Sequence, residues 1–130
     1  MDLKYSVKTK KTFEEATTSL KENLVESKFG VLWEMNFKDK LQEKGLDFNS
    51  NFRVMEVCNP PKAKEVLDKN IEIGFFLPCK LAVYEKDGET YIGMIKPTLL
   101  MGMVEMEGLD EVAEEVETTL KAAIDKTVAQ

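Results

Sequence analysis

The sequence contains no histidine among its 130 residues. Catalytic pairs of the Ser-His-Asp and Cys-His kinds, HExxH zinc sites and haem-ligating imidazoles all require that side chain. The seven glycines are scattered singly, so the chain has neither a P-loop nor a Rossmann phosphate-binding turn. These absences exclude most standard hydrolase mechanisms and disfavour nucleotide binding through a glycine-rich loop.

Long apolar runs and an excess of basic residues are missing as well. No run of about eighteen apolar residues occurs, and the segment after Met1 lacks the apolar centre of a signal peptide. The formal net charge is -6, which repels a nucleic-acid backbone. We therefore expect a soluble, cytoplasmic protein that binds neither membranes nor nucleic acid.

The length and composition predict a single globular domain that spans residues 1–130. Hydrophobic residues make up 43% of the chain and charged residues 32%, a balance that supports an ordinary buried core. The two cysteines are too few for a disulfide scaffold, and a reducing compartment would keep them as thiols.

The spacing of apolar residues predicts an alternation of strands and helices. The first strand is predicted at "LKYSVKTK", and Thr12 and Glu15 then have capping-box spacing at the start of an amphipathic helix. Two further strands are predicted at "GVLWEMN" and "NFRVMEVC", with a short helix between them that Asn36 caps. Asn59 caps the next helix, and Pro60 fits its first position because the missing N–H has no partner there.

A hairpin is predicted where Asp87-Gly88 separates two alternating apolar runs. Pairing outwards from this turn puts Tyr84 opposite Tyr91 and Cys79 opposite Lys96. The face that carries Cys79 is apolar in this register. We therefore expect the Cys79 side chain to point towards the core.

The last segment predicts a long amphipathic helix. Its apolar stripe consists of Leu109, Val112, Ala113, Val116, Leu120 and Ile124. The predicted order of elements is strand, helix, strand, short helix, strand, helix, hairpin and helix. This order indicates an α+β fold with helices on one face of a mainly antiparallel sheet.

The stretches "CNPPKA" and "IGFFLPC", followed by the hairpin and "IKPTLLM", resemble the bacterial and archaeal family known as the domain of unknown function 302 family. The resemblance extends from the first helix to the last. It implies a two-layer α+β domain of the TATA-binding-protein-like kind that is often dimeric and has no established activity. Many members of that family have apolar residues in place of one or both cysteines, so a thiol mechanism need not belong to the family.

The two cysteines are the main candidates for a functional site. Cys58 precedes a predicted helix N-terminus, where amide dipoles stabilise a thiolate, and Cys79 is expected to lie opposite Lys96. On this hypothesis both thiols are more acidic than a free thiol. Antiparallel strands would bring the cysteines to one end of the sheet, whereas a parallel crossover would separate them. The alternative is that each cysteine is a small buried apolar side chain.

Other site chemistries need more than this pair. Cys58 and Cys79 cannot complete a tetrahedral zinc site alone, so further ligands would be carboxylates such as Glu56, water or the cysteines of a second subunit. The absence of CxxC spacing weakens the analogy with thioredoxin-like redox chemistry. Glu34 and Glu56 form a second candidate pair, for acid/base work, although exposure to water is the usual place for such residues in a strand.

Three hypotheses of function follow. The first is a homodimeric, non-catalytic binding module with a small-molecule or metal site near the cysteines. Its candidate binding residues are Cys58, Asn59, Pro78, Cys79, Glu56 and Lys96, of which the two cysteines are the candidate metal ligands. The second is a thiol-based redox enzyme or sensor that uses Cys58 and Cys79. The third is a structural interaction domain whose partner surface is the terminal helix and the methionine-rich segment "PTLLMGMVEM". The sequence implies no cofactor and identifies no catalytic residue.

Overall fold

The computed structural model describes residues 2–103 and 108–130. Its strands are β1 (Lys4–Thr9), β2 (Gly30–Asn36), β3 (Phe52–Cys58), β4 (Cys79–Lys86) and β5 (Glu89–Ile95). Its helices are α1 (Phe13–Glu26), α2 (Phe37–Glu43), α3 (Pro60–Lys69), α4 (Pro97–Met101) and α5 (Leu109–Ala129), together with the short 3-10 helix η1 (Ile71–Phe76). The predicted order is confirmed, and η1 and α4 are additional short elements. None of the helices in the described ranges is long and apolar enough to cross a membrane.

The local signals that predict helix starts are confirmed. The Thr12 side chain accepts a hydrogen bond from the Glu15 backbone N–H at 3.1 Å, and Glu15 accepts one from the Thr12 N–H at 2.9 Å. This reciprocal pair completes the capping box at the start of α1. The side chains of Asn36 and Asn59 cap α2 and α3, and Pro60 is the first residue of α3.

The strands form one five-stranded sheet in the order β1-β5-β4-β3-β2, with antiparallel pairing throughout. The predicted hairpin register is confirmed, because Tyr84 pairs with Tyr91. The predicted pair between Cys79 and Lys96 is not formed. Lys96 has already left the sheet to precede α4, and its backbone N–H donates to the Leu3 carbonyl at 2.8 Å.

The core lies between one face of the sheet and the helices α1 and α5. The hairpin contributes Leu81, Val83 and Ile92 to it, all of them fully buried. All six residues of the predicted apolar stripe on α5 are buried as well. Asn23 on α1 donates to the hydroxyl of Thr127 on α5 at 2.8 Å within the buried contact between the two helices. The predicted α+β fold, with helices packed on one face of an antiparallel sheet, is therefore confirmed.

The opposite face of the sheet, which we call the open face, carries the side chains that alternate with the buried ones. The rings of Phe52, Tyr84 and Tyr91 stack across β3, β4 and β5, with centroid separations of 5.2 and 5.3 Å. Phe37 of α2 meets the Phe52 ring edge-on at 6.0 Å, so α2 borders one end of this face. Most of the remaining open-face side chains are short or charged.

Gly93 permits the close approach of β1 to β5. A Cβ atom built on Gly93 would lie 2.9 Å from the Tyr5 carbonyl oxygen and 3.2 Å from the Ser6 Cβ. We expect Gly93→Ala to lower the free energy of unfolding by about 1–3 kcal/mol, because the backbone of β1 must move away. Urea unfolding followed by circular dichroism measures this change.

Gly30→Ala is the matched control, because a Cβ built on Gly30 would meet nothing within 4 Å. We expect this variant to unfold within about 0.5 kcal/mol of the wild type or to be slightly stabilised. Equal losses of stability in the two variants would contradict the assigned role of Gly93.

Candidate functional site

The sheet brings the two cysteines to the same end of neighbouring strands. β3 and β4 are antiparallel, and Val57 pairs with Cys79, so Cys58 follows directly beside that pair. Of the two arrangements that the sequence leaves open, the antiparallel one is therefore present. Both cysteines are free thiols with intermediate exposure. As predicted from the hairpin register, the Cys79 side chain packs against the core.

A small cavity, which we call the thiol cavity, lies beside both cysteines. It is lined by Phe29, Val57, Cys58, Asn59, Lys62, Ala63, Val66, Leu77, Pro78, Cys79, Met101, Val112 and Val116. Its volume of about 30 Å³ is enough for one or two water molecules and far below that of an ordinary ligand pocket. The Asn59 side chain is also engaged, because it accepts from the Lys62 backbone N–H at 3.3 Å. The thiol cavity is therefore too small to be the ligand site by itself.

Both thiols are weaker acids than a free cysteine. Burial raises the pKa of Cys58, and burial together with the nearby Cys58 raises the pKa of Cys79 to about 11. This direction is opposite to the predicted acidification, because desolvation outweighs any effect of the α3 N-terminus and Lys96 is not paired with Cys79. At neutral pH both groups are protonated, which disfavours their use as nucleophiles.

The described residues do not assemble a metal centre. No group of three or more Cys, Asp or Glu side chains within residues 2–103 and 108–130 is placed to hold a metal ion. Metal binding by Cys58 and Cys79 stays a prediction that requires further ligands from water or from a second subunit.

Glu34 and Glu56 are not a working pair. In the β2–β3 ladder, Glu34 lies opposite Met55 and Glu56 lies opposite Trp33. Paired residues share a face of the sheet, so Glu34 lies on the same face as Met55. Met55 and Glu56 are neighbours on β3 and point to opposite faces, so the two carboxylates lie on different sides of the sheet. Glu34 forms ion pairs on the helix side, with Lys21 and with Arg53.

A much larger depression, which we call the rim recess, lies next to the thiol cavity where η1 and α4 border the open face. It is lined by Leu3, Glu56, Phe75, Phe76, Leu77, Pro78, Cys79, Lys80, Ile95, Pro97, Leu100 and Met101. Its volume is about 410 Å³, which is within the usual range for small-molecule pockets. Three of the predicted site residues, Glu56, Pro78 and Cys79, contribute to it, and Lys96 does not.

The rim recess combines apolar walls with one acid and one base. Glu56 and Lys80 occupy opposite positions in the β3–β4 ladder. Neither side chain forms an ion pair with another residue in the described part of the chain. Phe75 stands at the edge of the recess with 87% of its surface exposed. The recess therefore offers apolar contact area and two charged groups that a bound molecule can reach.

Sequence reasoning missed the residues that η1 and α4 supply to this recess. Phe75 and Phe76 belong to the 3-10 helix η1, an element that is not predicted from the sequence. Lys80 was missed as well, although its position next to Cys79 on a strand with one buried face marks it as an open-face residue. The sequence alone carries no signal that η1, α4 and β4 meet.

The third hypothesis names two partner surfaces, the terminal helix and the methionine-rich segment, and they differ in exposure. The apolar stripe of α5 is buried in the protein's own core and is not available to a partner. In the methionine-rich segment, Met101 is buried and Met103 is 67% exposed. Met106 lies outside the described residues.

The raised pKa of Cys79 makes stability depend on pH. An unfolded chain ionises this thiol near its ordinary value of 9.0, whereas the folded chain does so only near 11. The stabilising effect of the neutral buried thiol is present below about pH 9 and is lost as the pH rises towards 11. We expect Cys79→Ala to remove about 1–2 kcal/mol of the alkaline loss of stability, allowing for the partial exposure of the group.

Urea unfolding at pH 8, 9, 10 and 11 measures this change, and Cys58→Ala is the control because the Cys58 pKa is raised by a smaller amount. The informative quantity is the difference in pH dependence between variant and wild type, since the lost side chain lowers stability at every pH. Parallel pH curves for the wild type and Cys79→Ala would contradict the raised pKa.

Comparison with known proteins places the chain in a family. The family model described as a domain of unknown function, DUF302, matches residues 5–127. Among solved structures, the chain is similar to that of an uncharacterized conserved protein DUF302 from Bacillus stearothermophilus. The sequence identity is 44%, the TM-score is 0.94, and the match covers 98% of this chain and 99% of that chain. No curated protein matches the chain. The resemblance found in the sequence is confirmed, and the chain belongs to the DUF302 family.

Proposed function

We propose that the protein is a binding module for a small, mainly apolar molecule that occupies the rim recess. One observation carries this proposal. The recess has a volume of about 410 Å³ and contains a carboxylate and an ammonium group, Glu56 and Lys80, that lack ion-pair partners among the described residues. Ligand sites are typically mainly apolar with a few polar groups that orient the ligand.

The position of the recess extends the site predicted from the sequence. Pro78 and Cys79 belong both to the thiol cavity and to the rim recess, so the two depressions share a wall. On this proposal, Cys79 serves as a small, polarisable wall residue whose thiol stays neutral. This role agrees with the raised pKa of Cys79, which is about 11.

The redox alternative has less support. A thiol that attacks a disulfide or an oxidant reacts as the thiolate, and burial raises the pKa of both Cys58 and Cys79. One feature favours a thiol pair: Val57 pairs with Cys79, and Cys58 is the residue that follows Val57. Because both thiols are protonated at neutral pH, neither cysteine supplies the thiolate that would attack.

Native mass spectrometry of freshly purified protein tests the proposed function. Leu3 is 44% exposed at the edge of the recess, so Leu3→Trp places a large ring there without disturbing the core. We expect the wild type to carry an additional small-molecule mass that mild denaturation releases, and we expect Leu3→Trp to lose most of it.

Leu46→Trp is the matched control, because Leu46 is 57% exposed and does not line the recess. It should retain the same additional mass as the wild type. The proposal would be contradicted if Leu3→Trp retained the additional mass in full, or if the wild type had only the mass of the polypeptide. The same spectra report the number of subunits and so test the homodimer, which stays a prediction from the family resemblance.

A further inference from the structure

A second groove, which we call the lysine trough, crosses the open face of the sheet. Lys80 and Ile95 separate it from the rim recess. The lining of the trough includes Lys4, Ser6, Ala82, Tyr84, Lys86 and Gly93. The floor is low because Ala82 pairs with Gly93 and Gly93 pairs with Ser6, so three small residues lie in one row across three strands. The rings of Phe52 and Tyr84, stacked at 5.2 Å, stand along one side. The volume is about 340 Å³.

The charged side chains that line the trough are all lysines, whereas Glu56 and Glu89, opposite Lys80 and Lys86 in the ladders, lie outside its lining. Lys4, Lys80 and Lys86 line it, and no aspartate or glutamate does. None of these three exposed lysines forms an ion pair with any residue in the part of the chain that the structure describes. This grouping stands out in a chain whose formal net charge is -6. Clefts that collect one sign of charge attract ligands of the opposite sign.

The trough also contains a pair of hydroxyl groups. The Ser6 hydroxyl and the Tyr84 hydroxyl are 2.6 Å apart and share one hydrogen bond. Two hydroxyl groups carry two protons, and only one of these is used in the bond between them. The second proton is left to donate to a bound anion, in a hydrogen bond that charge on the acceptor strengthens.

We propose that the lysine trough binds a small organic anion with a flat apolar body, of which an aromatic carboxylate is the simplest example. The lysines and the free hydroxyl proton hold the charged group, and the body covers the low floor between the ring wall and Ile95. The volume is within the range of small-molecule sites. A long polyanion such as single-stranded nucleic acid would extend beyond the trough over a protein of net charge -6. A dimer formed through this face would bring the lysines of the two copies together, and their charges would repel.

This site is separate from the proposed ligand site in the rim recess. The two share Lys80 and Ile95 as a border, whereas Lys4, Tyr84 and Lys86 belong only to the trough. Variants of Lys4 and Lys86 therefore test the trough without altering the recess.

The test is a titration of 15N-labelled protein with 2-naphthoate and, in parallel, with the neutral 2-naphthamide. The readout is the shift of the backbone amide signals of Ala82 and Gly93 on the trough floor. We expect naphthoate to bind about fivefold more tightly than naphthamide, and more weakly at high salt. Lys4→Gln and Lys86→Gln should each weaken naphthoate about two- to fivefold and leave naphthamide unchanged.

Lys10→Gln is the control, because it removes the same charge from an exposed lysine outside the trough. It should bind naphthoate as the wild type does.

Equal binding of the two probes, equal effects of Lys86→Gln and Lys10→Gln, or shifts confined to the rim recess would overturn the proposal. Tighter binding of a thymidine decamer at physiological salt would identify nucleic acid as the occupant and would also overturn it. So would a dimer in light scattering that Lys86→Gln dissociates, since the occupant would then be a second copy.

Discussion

The packing of α1 and α5 against a single face of the sheet is the constraint on which the rest of the structure depends. The buried stripe of α5 and the fully buried hairpin residues form one continuous core on that side. This contact also joins the two ends of the chain, because α1 follows the edge strand β1 and α5 is the last element. The opposite face carries mainly aromatic, small and charged side chains, together with a few aliphatic ones such as Val54 and Ile95.

The rim recess and the lysine trough both lie on the side of the sheet that α1 and α5 leave uncovered. The rim recess lies where η1 and α4 rise beside the uncovered face, and the lysine trough lies where a row of small residues crosses the middle strands. On the helix side, the cavity beside the cysteines has a volume of only about 30 Å³. Dense packing of the core thus leaves little free volume beside the thiols on the helix side. The cysteines lie at the boundary between the two sides, which explains their partial burial and their raised pKa values.

The sequence predicts those parts of the fold that local chemistry determines. The Thr12 capping box, the Asn59 cap followed by Pro60, and the Asp87-Gly88 turn each act within a few residues and are each present. The register of the hairpin follows from its turn up to the point where Lys96 leaves the sheet. The α+β class then follows from the order of the elements.

The candidate site was predicted less completely, because it depends on contacts between distant segments. Adjacent cysteines require β3 and β4 to be antiparallel neighbours, and the sequence is compatible with a parallel crossover too. The sign of the thiol pKa shifts depends on burial, which no local motif encodes. Glu56 was predicted as a carboxylate that could complete a site with the cysteines. Its partner position on β4, Lys80, becomes visible only through the ladder register.

A crystallographic fragment screen tests the central claim most directly, namely that the uncovered side of the sheet near Cys79 is a binding surface. The account predicts that bound fragments concentrate in the rim recess, in contact with Phe75 and with Glu56 or Lys80, and that none enters the core beneath α1 and α5. Fragments scattered over the surface, with the recess empty, would contradict it.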